Sequence, residues 1–211
     1  QAQEYKCEFC ASTQRLGDKP PVSLNVEWRL WQSVGIDSAE LEGDQTVTNF
    51  MLMVEEASGM LVPHVLYERP KDVHQNATGE QVTDAFAESW LSHYPKPVRV
   101  RTDPEGAFQS QTFREFMAVN DILYEPTAGD AHHQLGLIER RIQTVKRIAE
   151  KLMRKFPQMS GKQILASVCA SSNELERVKG YSPNQWTFAF SRPLWDPART
   201  SSDTDNTFAQ L

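Results

Sequence analysis

The chain has 211 residues, 39% of them hydrophobic and 24% charged, which suits one domain with a sizeable core and short appendages rather than two full domains. No apolar run approaches the ~18 residues that a membrane-spanning helix needs, and neither a span nor a secretory signal is expected. A net charge of −6 argues against a surface coated in basic groups, so any nucleic-acid contact is expected to be local.

The chain begins with Gln1 rather than Met, which reads as a segment of a longer precursor. Two of its three cysteines sit in Cys7-Glu8-Phe9-Cys10. That argues against a disulfide framework and for a reducing, intracellular setting. Residues 1–21 are polar and close on Pro20-Pro21, a linker signal, so the core is expected to occupy 22–190. Ser33 to Leu41, Asn49 to Glu55 and Met60 to Tyr67 are β-type runs. The turn Ala57-Ser58-Gly59 makes the second and third a hairpin, and an antiparallel three-stranded start follows.

Val82, Phe86 and Trp90 fall at i, i+4 and i+8 and predict an amphipathic helix that stops near Pro95. Val98 to Thr102 reads as a short strand ending at Asp103. The turn Pro104-Glu105-Gly106 comes next, with Glu105 exposed, and then a helix around Phe113, Phe116 and Met117. Ile122 to Glu125 is the last predicted strand, stopped by Pro126. Gly129 to Gln134 reads as a polar loop that contains His132 and His133. After it Ile138, Ile142, Val145, Ala149, Leu152 and Phe156 recur at spacings of three and four, predicting the longest helix with that seam facing the core. Glu139, Gln143, Lys146 and Glu150 repeat the spacing one residue on, about 100° round the helix, as a polar stripe. A further helix is predicted over Gly161 to Val178, with Cys169 in the core. Residues 191–211 are rich in Ser, Thr, Asp and Pro and read as a disordered tail. A hairpin followed by alternating strands and helices implies a mixed α/β sheet with helices on its faces.

Asp37 lies in the first strand and Asp103 at the end of the fourth, and in a mixed sheet of this order those strands can be neighbours. With Glu139 on a packed helix they would give a hard oxygen site suited to Mg²⁺ or Mn²⁺ rather than zinc. Such a site can hold two ions roughly 3.5–4 Å apart that assist the attacking and leaving oxygens of a phosphoryl displacement, with no protein nucleophile. Glu42 and Asp44 are rivals for the first position, but their surroundings are polar and turn-like. Glu55 and Glu56 end a strand at the hairpin and read as solvated. His132 and His133 have no ligand partners at sensible spacing.

The interval between Asp103 and Glu139 holds 35 residues, and this resembles the D,D-35-E signature of retroviral and retrotransposon integrases. Asp103-Pro104-Glu105-Gly106-Ala107-Phe108 is similar to that family's Asp-x-Gly-x-x-Phe with one extra residue before the glycine. Gly136-Leu137-Ile138-Glu139-Arg140 is similar to its Gly-x-x-Glu-Arg. Trp31 to Asp37 resembles the strand of the first aspartate, and Gly180-Tyr181-Ser182-Pro183-Asn184-Gln185 the segment that closes many retrotransposon cores. The resemblance spans about residues 5 to 195.

It implies an RNase H-like fold, a five-stranded mixed sheet flanked by helices. The implied activity is metal-dependent 3′-end processing and DNA strand transfer by a Pol polyprotein segment, with Asp37, Asp103 and Glu139 as both catalytic residues and ligands. It also implies DNA-contacting roles for Gln143 and Lys146, and for His132 and His133 in the family's active-site loop. The partners would be element ends and target DNA, the assembly a homo-oligomer, and the location nuclear or intracellular. Cys7 and Cys10 resemble the second half of a His-His-Cys-Cys zinc module; no histidine precedes Cys7, so Zn²⁺ would need histidines from upstream. Two other readings stand beside this one: an inactive or domesticated fragment serving as a nucleic-acid-binding or assembly module, and another RNase H-like nuclease that cuts RNA in hybrids.

Overall fold

The computed structural model describes residues 29–104, 106–127, 132–178 and 180–189, with side chains of the helix that starts at His132 described from Gly136 on. Cys7, Cys10, the 1–21 module, Glu105, the 128–131 segment and the 191–211 tail lie outside the described residues.

The described strands form one sheet in the order β3-β2-β1-β4-β5. β1 (Ser33–Glu42), β2 (Thr46–Glu55) and β3 (Leu61–Pro70) make the antiparallel half. β4 (Arg99–Thr102) and β5 (Leu123–Pro126) join parallel, β4 beside β1. The antiparallel start, the mixed sheet and the flanking helices thus agree with the sequence reading.

Alternation divides the strands between two cores. Val34, Ile36, Met51, Met53 and Val100 face one side. There they meet α1 (Gly79–Phe86) and α2 (Gln111–Val119) through Phe86, Phe113 and Met117. Leu41, Phe50, Leu52 and Val54 face the other. They meet α3 (His132–Lys155) and α4 (Gly161–Leu175) through Ile138, Ile142, Val145, Ala149, Ile164 and Cys169. β2 is apolar on both faces because helices cover both, the pattern of a strand buried on each side.

Local chemistry sets the helix starts. Thr78 and Ser160 close capping boxes with Gln81 and Gln163, and Ser110 caps α2 through Phe113 N–H. Three elements differ from expectation. α1 runs on into a π-helical turn, Ala87–Leu91, which carries Trp90 into the core with its indole N–H donating to Pro95 O at 3.1 Å. Gly180 to Gln185 leads into a short helix, α5 (Pro183–Phe188), started by a Ser182/Gln185 capping box with Pro183 in the first turn. His132 and His133 open α3 rather than standing in a loop before it.

Among the described residues no helix is long and apolar enough to cross a membrane.

Candidate active site

β1 and β4 run parallel in the register Ser33↔Arg99 to Ile36↔Thr102. Asp37, in the middle of β1, and Asp103, the residue that follows β4, come next, so the two carboxylates leave neighbouring positions on adjacent strands. Both are half-buried. With Val34, Ile36 and Val100 committed to the α1 side, alternation turns Gly35, Asp37 and Arg101 toward α3. The Asp37 carboxylate accepts the Ser38 N–H at 2.7 Å, which orients it. The end of β4 is held just before Asp103, where the Thr102 carbonyl accepts both the N–H and the hydroxyl of Thr127, at 3.0 and 3.1 Å. The buried Thr102 hydroxyl donates to Tyr124 OH, which in turn donates to Phe108 O.

α3 crosses β1 where β1 has no side chain. A Cβ at Gly35 would overlap Cγ1 and Cδ1 of Ile138, so the glycine is what lets the helix come this near. Glu139 follows Ile138, and its side chain is exposed. The structure therefore brings Asp37 and Asp103 to adjacent positions and Glu139 to the helix above them. It does not draw the three together: among the described residues no three His, Cys, Asp or Glu side chains are close enough to hold a metal ion. The reason lies in the helix phase, since Ile138 takes the buried direction and Glu139, about 100° on, turns to solvent. As donors, the two strand carboxylates are hard oxygens that fit Mg²⁺ or Mn²⁺. The buried Cys169 has its thiol pushed up to about 12 by burial, so it offers no soft alternative.

An ion-pair network lines the α3 face beside the aspartates. Arg101 reaches Glu56 at 3.4 Å and Glu125 at 3.1 Å, and Arg99 reaches Glu125 at 3.3 Å. This overturns the expectation that Glu55 and Glu56 are solvated, for both are buried. Glu55 is drawn in because its carboxylate accepts the N–H groups of Trp31 and Ser58, at 3.1 and 2.6 Å. Glu56 is drawn in by Arg101. Burial raises the Glu56 pKa above its usual value, against Ser33 and Arg101, which pull it down. Glu42 and Asp44 are exposed near the β1–β2 turn, as the sequence suggested.

The polar stripe of α3 divides in two. Lys146 is half-buried and faces a groove of about 1040 Å³ whose other walls carry Glu40, Glu42, Asp44 and Glu68. Gln143 is exposed in an adjoining furrow with Arg140, Arg147, Lys151 and Arg154, and Glu150 and Arg154 border both. That basic ridge was missed in the sequence, where intervals of seven, four and three residues from Arg140 mark one helix face.

No protein-family model matches the sequence, and no match to a curated protein was found. Solved structures do match. The chain is similar to the HTLV-2 integrase catalytic core domain in complex with magnesium, in its dimeric form, with a TM-score of 0.62 and 19% identity over 76% of this chain and 98% of that one. It is similar to a chain of the simian T-cell lymphotropic virus intasome in complex with PP2A regulatory subunit B56 gamma, at a TM-score of 0.68 and 16% identity, over 92% and 69% of the two chains. It is also similar to the BIV integrase catalytic core domain, at 0.56 and 14%, over 83% and 98%. The chain therefore has the fold of retroviral integrase catalytic cores, an RNase H-like mixed sheet flanked by helices.

Proposed function

We propose that this chain is an integrase catalytic core that trims and joins DNA ends in a divalent-metal-dependent reaction. The observation that carries the reading is the parallel pairing of β1 with β4, which sets Asp37, in mid-β1, beside Asp103, just past β4, beneath α3. The fold shared with integrase cores supports it, as does the magnesium in the HTLV-2 structure.

Asp37 and Asp103 would hold the cation, with Glu139 as the third carboxylate. When bound, Mg²⁺ or Mn²⁺ would supply Lewis-acid stabilisation of the charge that develops on the attacked phosphate. The chain's own groups position. Ser38 N–H orients Asp37, and Thr127 fixes the strand end that carries Asp103. Gln143 and Lys146, joined by Arg140, Arg147, Lys151 and Arg154, would hold the DNA backbone; such contacts set its register without reading sequence. His132 and His133, in the first turn of α3, would border the same DNA. Action as an oligomer and at a nuclear site belongs to the same proposal, the former supported by the dimeric and trimeric forms of the HTLV-2 core.

One observation favours a second reading, a DNA-binding or assembly module without catalysis: Glu139 stands outside any three-acid group among the described residues. Joining of a recessed 3′-end to target DNA by the full chain in Mn²⁺ separates the two. Asp103→Asn and Glu139→Gln should each lower the rate by about 100-fold or more while leaving DNA affinity within about 3-fold. Equal rates in parent and variants would remove the catalytic reading and leave the binding module.

A further inference from the structure

Glu139 sits between two anchored residues. Ile138 rests in the notch at Gly35. On the other side Arg141, three residues from Ile138, reaches the β2–β3 turn and the C-terminal end of α4, where its guanidinium pairs with the Glu176 carboxylate. The turn is shaped for it. Gly59 has φ of +74°, and a Cβ there would stand 2.7 Å from Arg141 Nη2, so the guanidinium lies directly against the bare turn.

Both abutments are themselves fixed. The Glu55 carboxylate ties the turn through Ser58 N–H, and the Ser58 hydroxyl accepts Met60 N–H at 3.2 Å. α4 is tied to the edge strand by Asn173, whose side-chain amide accepts Leu61 N–H and donates to Leu61 O, both at 2.8 Å. Arg141 is mostly buried, in the interior rather than on the DNA-facing ridge, and burial, together with Arg140, lowers its pKa.

Ile142, Val145 and Ala149 seat α3 further along, but a small roll of its first turns about the Ile138 contact would still swing Glu139. A roll of about 20° moves a group roughly 5–6 Å from the helix axis by about 2 Å. A misplacement of about 1 Å can lower a rate by about 100-fold. We infer that Arg141 is a positioning residue: by clamping α3 to the Gly59 turn and to Glu176 it sets the rotation at which Glu139 is presented above Asp37 and Asp103. This rests on the catalytic reading of those three residues, and it assigns Arg141 no contact with DNA or with the reacting atoms.

The test compares the full chain with Arg141→Met, Arg141→Lys, Glu176→Gln and the exchange of Arg141→Glu with Glu176→Arg. Amide hydrogen exchange over 136–141 should quicken by about 10-fold or more in Arg141→Met and Glu176→Gln, with 145–155 unchanged. In the Mn²⁺-dependent joining assay kcat should fall by about 100-fold with KM for DNA within about 3-fold, and the lysine variant and the exchange should each recover about 10-fold. Glu176→Gln leaves Arg141 in place and serves if Arg141→Met does not fold. Unchanged exchange over 136–141, or unchanged kcat in variants of either residue while Asp103→Asn and Glu139→Gln are inactive, would overturn the clamp. Full activity in Asp103→Asn and Glu139→Gln would instead overturn the catalytic reading beneath it.

Discussion

Gly35→Ala adds one methyl group at the point where α3 lies on β1. In open space the change would stabilise a strand by about 0.5–1 kcal/mol, because glycine loses the most backbone freedom on folding. At Gly35 the new carbon would overlap Cγ1 and Cδ1 of the fully buried Ile138 and stand 3.5 Å from Glu56 Oε1. Cδ1 can swing aside, but moving Cγ1 means changing χ1, and an isoleucine in a helix has essentially one χ1 rotamer. Overpacking of this kind costs about 1–3 kcal/mol. Set against the backbone gain, the net loss is about 0–2.5 kcal/mol, a fall in Tm of up to about 10 °C for a chain of this size. Ile138→Ala alone should cost about 2–5 kcal/mol. In the double variant the new methyl occupies part of the space that Ile138 vacates, so the two losses should fall short of additivity by about 0.5–3 kcal/mol. Calorimetric unfolding of the parent, both singles and the double measures this directly. A rise in Tm for Gly35→Ala, or strict additivity, would refute the contact on which the placement of Glu139 depends.

Two further outcomes concern the buried acid and the basic ridge. A carboxyl whose pKa is raised by folding holds its proton more tightly in the folded state, so its contribution to stability grows as pH falls through the folded value and levels off below the ordinary value of 4.5. Thermal unfolding of Glu56→Gln beside the parent should therefore show the difference shifting in the parent's favour from about pH 7.5 to about pH 4.5; a constant difference would show that Glu56 does not titrate differently in the fold. Arg147→Ala should weaken binding to duplex DNA of any sequence and lower the slope of log K against log salt by about 0.9. Lys146→Ala should do less, because Lys146 faces the groove lined by Glu40, Glu42, Asp44 and Glu68. The reverse ranking would place DNA on that side of α3.

Several errors of the sequence reading share one cause. Glu55 and Glu56 look solvated because two adjacent acids at the end of a strand normally are. Beside the nearby Ser58 N–H, what buries them is Trp31 N–H at 24 residues' separation and Arg101 at 45, and no local pattern carries those two. Lys146 and Gln143 share a spacing in sequence, but β1, the β1–β2 turn and β3 supply acids to the groove that Lys146 faces, whereas the furrow at Gln143 is lined by α3 itself. α5 was within reach, for Ser182-Pro183-x-Gln185 is a capping box with proline in the first turn. It was missed because a six-residue helix shows too little apolar period to register.

By itself the amino-acid order determined the local patterns: the β-type run of β1, the apolar run of β2, the three-four seam of α3 and the interval of 35 residues from Asp103 to Glu139. Those are local properties, fixed by the two residues per pleat of a strand and the 3.6 per turn of a helix. Only the folded chain decided that β4 lies parallel to β1, bringing Asp37 beside Asp103, and that Ile138 rather than Glu139 takes the notch at Gly35. Strand partners and helix rotation are settled by packing between segments far apart in the chain, where one methyl group at residue 35 would already strain the seat of Ile138 on the sheet.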